Sequence, residues 1–155
     1  MKSLLYGMVT VVLAFCVASR AQSTNKKDAG SDKERLIGAW RLARIEALGS
    51  GGNAAQPQGM LIYTHDGHMS VQLMYAESSS TLSNEYVKDG YEASFGSYDV
   101  DKTRHTVTHH VQGSVTRDLL VAKDLPRVYE FTKDGHLMIK SSRPDEHWSV
   151  TWEHY

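Results

Sequence analysis

Eight histidines give this 155-residue chain its clearest potential for metal binding or proton transfer. Two close pairs stand out, His65 with His68 and His109 with His110. Adjacent residues of a regular strand point to opposite faces, so His109 and His110 cannot bind one ion there. His65 and His68 flank an Asp-Gly turn, and the chain lacks the H-E-x-x-H spacing of zinc proteases. The sequence therefore predicts no metal site, and no motif in it indicates a cofactor.

His109 is the histidine with the most informative position. It interrupts a strand face that otherwise carries valines such as Val107 and Val111, so its imidazole is expected to point inward. Three roles are open for it: a core histidine hydrogen-bonded to Tyr98 or another neighbour, a group that orients a ligand, or a general acid or base. Nucleophile motifs are absent, since there is no G-x-S-x-G and the single cysteine, Cys16, lies within the N-terminal residues 1–21.

Aromatic residues with a polar tip are the other candidates for a binding site. Tyrosine and tryptophan combine an apolar body with a hydrogen-bonding group, and methionine adapts to irregular shapes. The predicted ligand-binding residues are Tyr63, Met69, Tyr98, His109, Tyr129, Phe131 and Trp152. Taken singly, each aromatic side chain could equally serve core packing.

Two similar β-hairpins would position several of these residues. T-H-D-G-H-M-S-V (64–71) is echoed by T-K-D-G-H-L-M-I (132–139), and each has an Asp-Gly turn between apolar runs. A type I turn with a glycine bulge pairs Thr64 with His68 and collects the apolar side chains on one face. We expect this register in both hairpins, with the aromatic face turned toward a core or cavity that a single imidazole interrupts.

The remaining pattern predicts an all-β fold, an eight-stranded antiparallel up-and-down β-barrel with one short helix between strands 3 and 4. The helix is expected over 82–90, with Ser83 as its N-cap; a further helical turn is expected at Arg117–Val121. The strands are expected at 36–47, 59–64, 68–75, 92–100, 105–114, 127–132, 136–141 and 147–154. Closing the sheet removes its edges, and eight strands leave an interior that side chains fill or that holds one small ligand.

The N-terminal region predicts export. Residues 1–21 have a basic start, an apolar run and the small-x-small site Ser19-Arg20-Ala21, as in a signal peptide; an uncleaved anchor is the alternative. Residues 22–34 read as a flexible leader and 35–155 as the barrel domain, secreted or periplasmic, with no membrane span in the mature chain. The net charge of −1 and pI near 6.7 exclude the basic surface typical of nucleic-acid binding.

The chain resembles the bacterial and fungal lipocalin-like domain family. The resemblance rests on five segments: L-I-G-A-W-R-L (36–42), G-M-L-I-Y-T-H-D-G-H-M-S-V-Q-L-M (59–74), F-G-S-Y-D-V-D (95–101), T-V-T-H-H-V-Q-G-S (106–114) and V-T-W-E (150–153). It implies a lipocalin-like barrel with a cavity for a small molecule. Val115–Leu125 and the short 75–82 region depart from the family pattern.

Three functions remain open at this point. The first is a carrier or sequestering protein for a small hydrophobic ligand. The second is a metal-free isomerase or cyclase that uses His109 and a tyrosine, and the third is a structural barrel without ligand. The aromatic inner face and the lack of catalytic pairs favour the first. The sequence does not specify the ligand or the oligomeric state.

Overall fold

The computed structural model describes residues 31–47, 57–75 and 83–155. The predicted signal peptide over 1–21 and most of the predicted leader lie outside the described residues. None of the helices in the described part of the chain is both long and apolar enough to cross a membrane.

Eight antiparallel strands form a closed barrel, as the sequence predicted. Each strand pairs with the next along the chain, and β8 returns to pair with β1. The strands are β1 (Gly38–Ala47), β2 (Gln58–Tyr63), β3 (His68–Met74), β4 (Tyr91–Asp101), β5 (Thr106–Ser114), β6 (Asp124–Phe131), β7 (Leu137–Ser141) and β8 (Trp148–His154). Closure pairs every strand on both sides, so no sheet edge stays open.

The two Asp-Gly hairpins, β2–β3 and β6–β7, adopt the predicted bulged register. The Thr64 amide donates to the carbonyl of His68, and the Thr132 amide donates to that of His136, each over 2.9 Å. The turn glycine of the first hairpin, Gly67, has φ 89°, a conformation that a side chain disfavours. This register aligns the inward side chains of each hairpin on one face of the sheet.

A short helix, α1 (Asp32–Leu36), precedes β1 and packs on the end of the barrel that carries these turns. Leu36 is fully buried, and its carbonyl accepts a 2.8 Å hydrogen bond from the Trp40 indole. The Tyr129 hydroxyl donates to Asp32 over 2.9 Å. These contacts tie α1 to β1 and β6, so the helix covers this end of the interior.

The helix expected between strands 3 and 4 is not confirmed. Residues 83–90 form bends and turns, because the Asn84 side chain accepts hydrogen bonds from the amides of Tyr86 and Val87. Such local side-chain bonds compete with helix formation. Asp89 also has φ 51°, outside the helical region. The second described helix, α2 (Arg117–Leu120), lies instead between β5 and β6, where a helical turn was expected.

Inward side chains from all eight strands form the core. The largest buried members include Trp40, Leu61, Tyr63, Tyr98, Tyr129, Leu137 and Trp152. The alternation of buried and exposed residues along β3 and β6 shows that one face of each strand lines the interior. The barrel end opposite α1, called the mouth below, is bordered by residues 83–90 and by the connection between β7 and β8.

Candidate functional site

The inner wall of the barrel is the candidate site, because it brings all the predicted ligand-binding residues to one side of the sheet. Tyr63, Met69, Tyr98, His109, Tyr129 and Trp152 are buried, and Phe131 is partly buried. Their role in ligand binding stays a prediction.

Tyr63 on β2 and His109 on β5 form a direct hydrogen bond inside the barrel. The Tyr63 hydroxyl oxygen and His109 Nε2 are 2.6 Å apart. Tyr98 packs against Tyr63, with ring centroids 4.7 Å apart, but its own hydroxyl donates to the Thr64 carbonyl. The hydrogen-bond partner of His109 is therefore Tyr63 rather than Tyr98.

Burial fixes the protonation state of this pair. Desolvation, reinforced by the positive charge of Arg127, lowers the pKa of His109 from 6.5 to about 3. Desolvation also raises the pKa of Tyr63 far above its ordinary value. Both groups are thus neutral across the physiological range, which suits a fixed hydrogen-bonding pair better than one that exchanges protons.

Tyr129 and Phe131 lie together on β6 at the end covered by α1. Their ring centroids are 5.9 Å apart. The Tyr129 hydroxyl is engaged with Asp32, and the guanidinium of Arg35 lies 3.7 Å from the centre of the Phe131 ring. These two residues form the floor of the interior, at the end that α1 covers.

Trp152 contributes an unsatisfied donor to the wall. It is only 2% exposed, and its indole Nε1 is buried without a hydrogen-bond partner among the described residues. Buried N–H groups are nearly always paired with protein or water, so an orphaned one calls for an explanation. A guest with an acceptor atom would satisfy it.

The inner wall is more polar than the sequence analysis predicted. The expectation of a single interrupting imidazole is wrong, because Arg127 on β6 and Glu92 on β4 also point inward. Arg127 lies opposite Val107 and Ser141, and Glu92 lies opposite Leu73. Strict alternation from Tyr129 and from Tyr98 would have placed both charged residues on the inner face. The sequence analysis expected an apolar inner wall and therefore did not use this alternation.

Glu92 is held in an unusual protonation state. Burial raises the pKa of its carboxyl from 4.5 to about 7, although Arg127 and a 3.4 Å hydrogen bond from the Tyr75 hydroxyl act in the opposite direction. Glu92 is therefore only partly ionised at neutral pH. It does not supply a full negative charge to the interior.

The described residues contain no cluster of three His, Cys, Asp or Glu side chains arranged to hold a metal ion. His109 and His110 do point to opposite faces of β5, as strand geometry requires. His110 lies outside the barrel between Asp124, at 2.7 Å, and Asp99, at 3.0 Å. These two carboxylates raise the pKa of His110.

Comparison with known proteins agrees with this architecture. No curated protein matches the chain. The lipocalin-like domain family matches residues 37–154, which include all eight strands from Gly38 to His154. The lipocalin-like barrel is in general a ligand-binding fold, whose eight strands leave room for one small molecule. With the match covering most of its length, the chain belongs to the lipocalin-like domain family.

Proposed function

We propose that this protein is an exported barrel that binds a small hydrophobic molecule in its interior, as a carrier or a sequestering protein. The support is an inner wall of aromatic and aliphatic side chains in a closed eight-stranded barrel. Binding to such a wall is favourable because it removes apolar surface of the ligand from water.

One observation carries the proposal, the orphaned indole N–H of Trp152 on the inner wall. A barrel built only to pack its own core would satisfy or omit such a donor, because an unmade buried hydrogen bond destabilises the fold. An apolar ligand with a carbonyl or ether oxygen would accept this hydrogen bond once its entry displaces the side chains that cover the nitrogen. Trp152 would then orient the ligand as well as contact it.

The binding test uses Prodan, a neutral apolar dye whose ketone accepts hydrogen bonds and whose emission reports a dry environment. We expect saturable binding of one dye per chain, with a blue-shifted emission. Trp152→Phe keeps an aromatic side chain on the inner wall but removes the N–H together with the five-membered ring of the indole. It should weaken binding about threefold to tenfold, the range for one neutral hydrogen bond.

A matched pair of methionine substitutions locates the dye. Met69 points inward and is 3% exposed, whereas Met60 lies on the outer side of the barrel and is 38% exposed. Met69→Trp should abolish Prodan binding, and Met60→Trp should leave it unchanged. If Met69→Trp does not fold, Val71→Phe replaces it as the blocking variant. Unchanged binding in a folded blocking variant would place the dye outside the barrel.

The same variants distinguish a ligand-binding barrel from a structural one. Extra bulk in an already filled core destabilises a protein by about 1 to 3 kcal/mol. Met69→Trp in an interior with free space should instead change the free energy of unfolding by less than about 1 kcal/mol. Strong destabilisation with no dye binding by the unmodified protein would favour the structural barrel.

A catalytic barrel is the second candidate, and the Tyr63–His109 hydrogen bond is the observation that favours it. A general acid or base works best with a pKa near the operating pH. The pKa of about 3 for His109 and the raised pKa of Tyr63 both lie far from neutrality. The pair therefore fits ligand positioning better than proton transfer.

Export rests on residues 1–21, whose basic start, apolar run and Ser19-Arg20-Ala21 site have the pattern of a signal peptide. The test is to express the full chain in a bacterium and to sequence the N-terminus of the protein from the periplasm or medium. A mature chain that begins at Gln22 would support export with cleavage. Full-length protein retained in the cytoplasm would contradict it.

A further inference from the structure

Arg127 is the most deeply buried of the charged residues in the described part of the chain. It is 6% exposed and lies between the inward residues Val107 on β5 and Ser141 on β7. An arginine side chain keeps its proton in proteins, so burial does not neutralise it. The positive charge therefore stays in the barrel wall at every physiological pH.

No described residue forms a direct contact pair with this charge. The Arg127 guanidinium forms no ion pair or hydrogen bond with any residue that the structure describes. Glu92 is near enough for Arg127 to lower the pKa of its carboxyl, yet that pKa still stands at about 7 and its side chain bonds to Tyr75. Buried charges in proteins are normally paired, so a buried arginine with no ion-pair partner among the described residues requires an explanation.

Glu146, the acid beside the aromatic neighbours of Arg127, is already engaged. Its carboxylate pairs with Arg143 and accepts hydrogen bonds from the Tyr86 hydroxyl at 2.9 Å and the Trp148 indole at 3.2 Å. The Ser141 hydroxyl also donates to it. Glu146 thus orients the side chains around Arg127 without forming an ion pair with it.

Two aromatic rings hold the guanidinium in place. Its central carbon lies 4.9 Å from the centre of the Trp148 ring and 5.1 Å from that of the Tyr86 ring. Cation–π contacts use the faces of the rings and consume none of the N–H donors of the guanidinium. The guanidinium donates no hydrogen bond to any described residue, and Arg127 keeps 6% of its surface exposed. The result is a fixed cation whose N–H donors are not engaged by any residue of the described ranges 31–47, 57–75 and 83–155.

We propose that Arg127 binds the acidic head of the ligand, so that the preferred guest is an apolar molecule with a single carboxylate. This inference rests on the proposed function and specifies its ligand class. The planar guanidinium matches a carboxylate through two parallel hydrogen bonds. Tyr86 and Trp148 belong to the segments that border the mouth, so the acidic head lies on that side. The apolar body then extends toward Met69 and the floor.

The test compares two ligands of equal length, dodecanoate and 1-dodecanol, as competitors of bound Prodan at pH 7.5. The unmodified protein should prefer dodecanoate by at least about tenfold, since hydrogen bonds to charged groups are stronger than neutral ones. Arg127→Met should remove this preference by weakening dodecanoate while 1-dodecanol is unchanged or tighter. Arg41→Gln, at an exposed arginine paired with Glu153, is the control and should keep the preference.

A second readout does not depend on the dye. Dodecanoate labelled with ¹³C at its carboxyl carbon should show a bound signal that stays ionised to lower pH than the free acid, and this signal should be absent with Arg127→Met. If that variant does not fold, Arg127→Gln takes its place. Two results would overturn the inference: equal affinities of the unmodified protein for dodecanoate and 1-dodecanol, or a preference for dodecanoate that persists after Arg127 is substituted.

The two proposals fail differently. If Prodan binds but dodecanoate has no advantage over 1-dodecanol, the barrel still binds apolar molecules and only the role of Arg127 is lost. If Prodan, dodecanoate and 1-dodecanol all fail to bind, the binding function and the head-group site are both wrong.

Discussion

The Tyr63 hydroxyl and His109 Nε2 lie 2.6 Å apart, although 46 residues separate them along the chain. The barrel brings them together because β2 and β5 both direct these residues inward. Each side chain is the hydrogen-bond partner of the other, and both are buried. Their bond therefore joins opposite parts of the wall and fixes two polar groups inside an apolar space.

A double-mutant cycle on this pair gives the first prediction. Tyr63→Phe and His109→Leu should each reduce the free energy of unfolding by about 1 to 3 kcal/mol, because each leaves a buried partner unsatisfied. The double variant should lose less than the sum of the two, with a coupling energy of about 1 kcal/mol or more. Urea unfolding measures all four proteins. Additive losses would show that the hydrogen bond contributes no stability of its own.

The second prediction concerns pH and begins with His109. Its folded pKa of about 3 lies below the unfolded value of 6.5, so the unfolded chain binds the proton first as pH falls. The stability that neutral His109 provides is present above pH 6.5 and is lost toward pH 3. Between pH 7.5 and pH 5 the loss is about 2 kcal/mol.

Glu92 has the opposite effect. Its folded pKa of about 7 exceeds the unfolded 4.5, so the folded state binds the proton first and gains about 2 kcal/mol over the same interval. The two effects nearly cancel in the unmodified protein. Relative to the unmodified protein, Glu92→Gln should lose free energy of unfolding between pH 7.5 and pH 5, because only the effect of His109 remains. His109→Leu should gain free energy of unfolding over the same interval, because only the effect of Glu92 remains. Chemical unfolding at both pH values checks this, and parallel pH profiles in the two variants would contradict it.

The third prediction concerns the ligand-free stability of the Arg127 site. Arg127→Met replaces a buried charge that no described residue pairs with by an apolar side chain of similar length, so the free energy of unfolding should rise by about 1 to 3 kcal/mol. Thermal unfolding of the ligand-free protein measures the change. Arg41→Gln should change stability by less than about 1 kcal/mol, because Arg41 and Glu153 form an exposed ion pair. A marked loss of stability in Arg127→Met would mean that the arginine supports the fold itself.

The barrel and its register could be predicted from the sequence because local signals agree with the global fold. The Asp-Gly turns and the alternation around them allow only one register that buries Tyr63 and Met69 together. Tertiary structure confirms that choice. Turn chemistry and strand period act over a few residues, so a single sequence carries them completely.

The helices were harder to predict because they depend on side-chain competition and on tertiary contacts. Asn84 uses its side chain to hold the amides of Tyr86 and Val87, which prevents the helix that composition favoured there. In α1, the Leu36 carbonyl accepts a hydrogen bond from Trp40, and the Asp32 side chain accepts one from Tyr129. Both contacts exist only in the folded barrel. Short helices of this kind derive their stability from packing.

The candidate site was predictable in position and only partly in chemistry. Alternation placed the aromatic residues and His109 on the inner wall, where they lie. Arg127 and Glu92 follow the same alternation, but the sequence analysis expected an aromatic wall interrupted only by His109 and did not place them there. The aromatic cage around Arg127 could not be foreseen, because Tyr86 and Trp148 belong to distant segments that only the closed barrel brings together.

Methionine methyl groups offer the most direct test of binding inside the barrel. With ¹³C-methyl methionine, Met69 reports the interior, while Met60 and Met74, 38% and 44% exposed, report the outer surface. Binding inside predicts nuclear Overhauser effects between Prodan and the Met69 methyl group, and none to Met60 or Met74. Saturable binding with contacts confined to Met60 or Met74, or no contact with Met69 at saturation, would contradict an interior binding site.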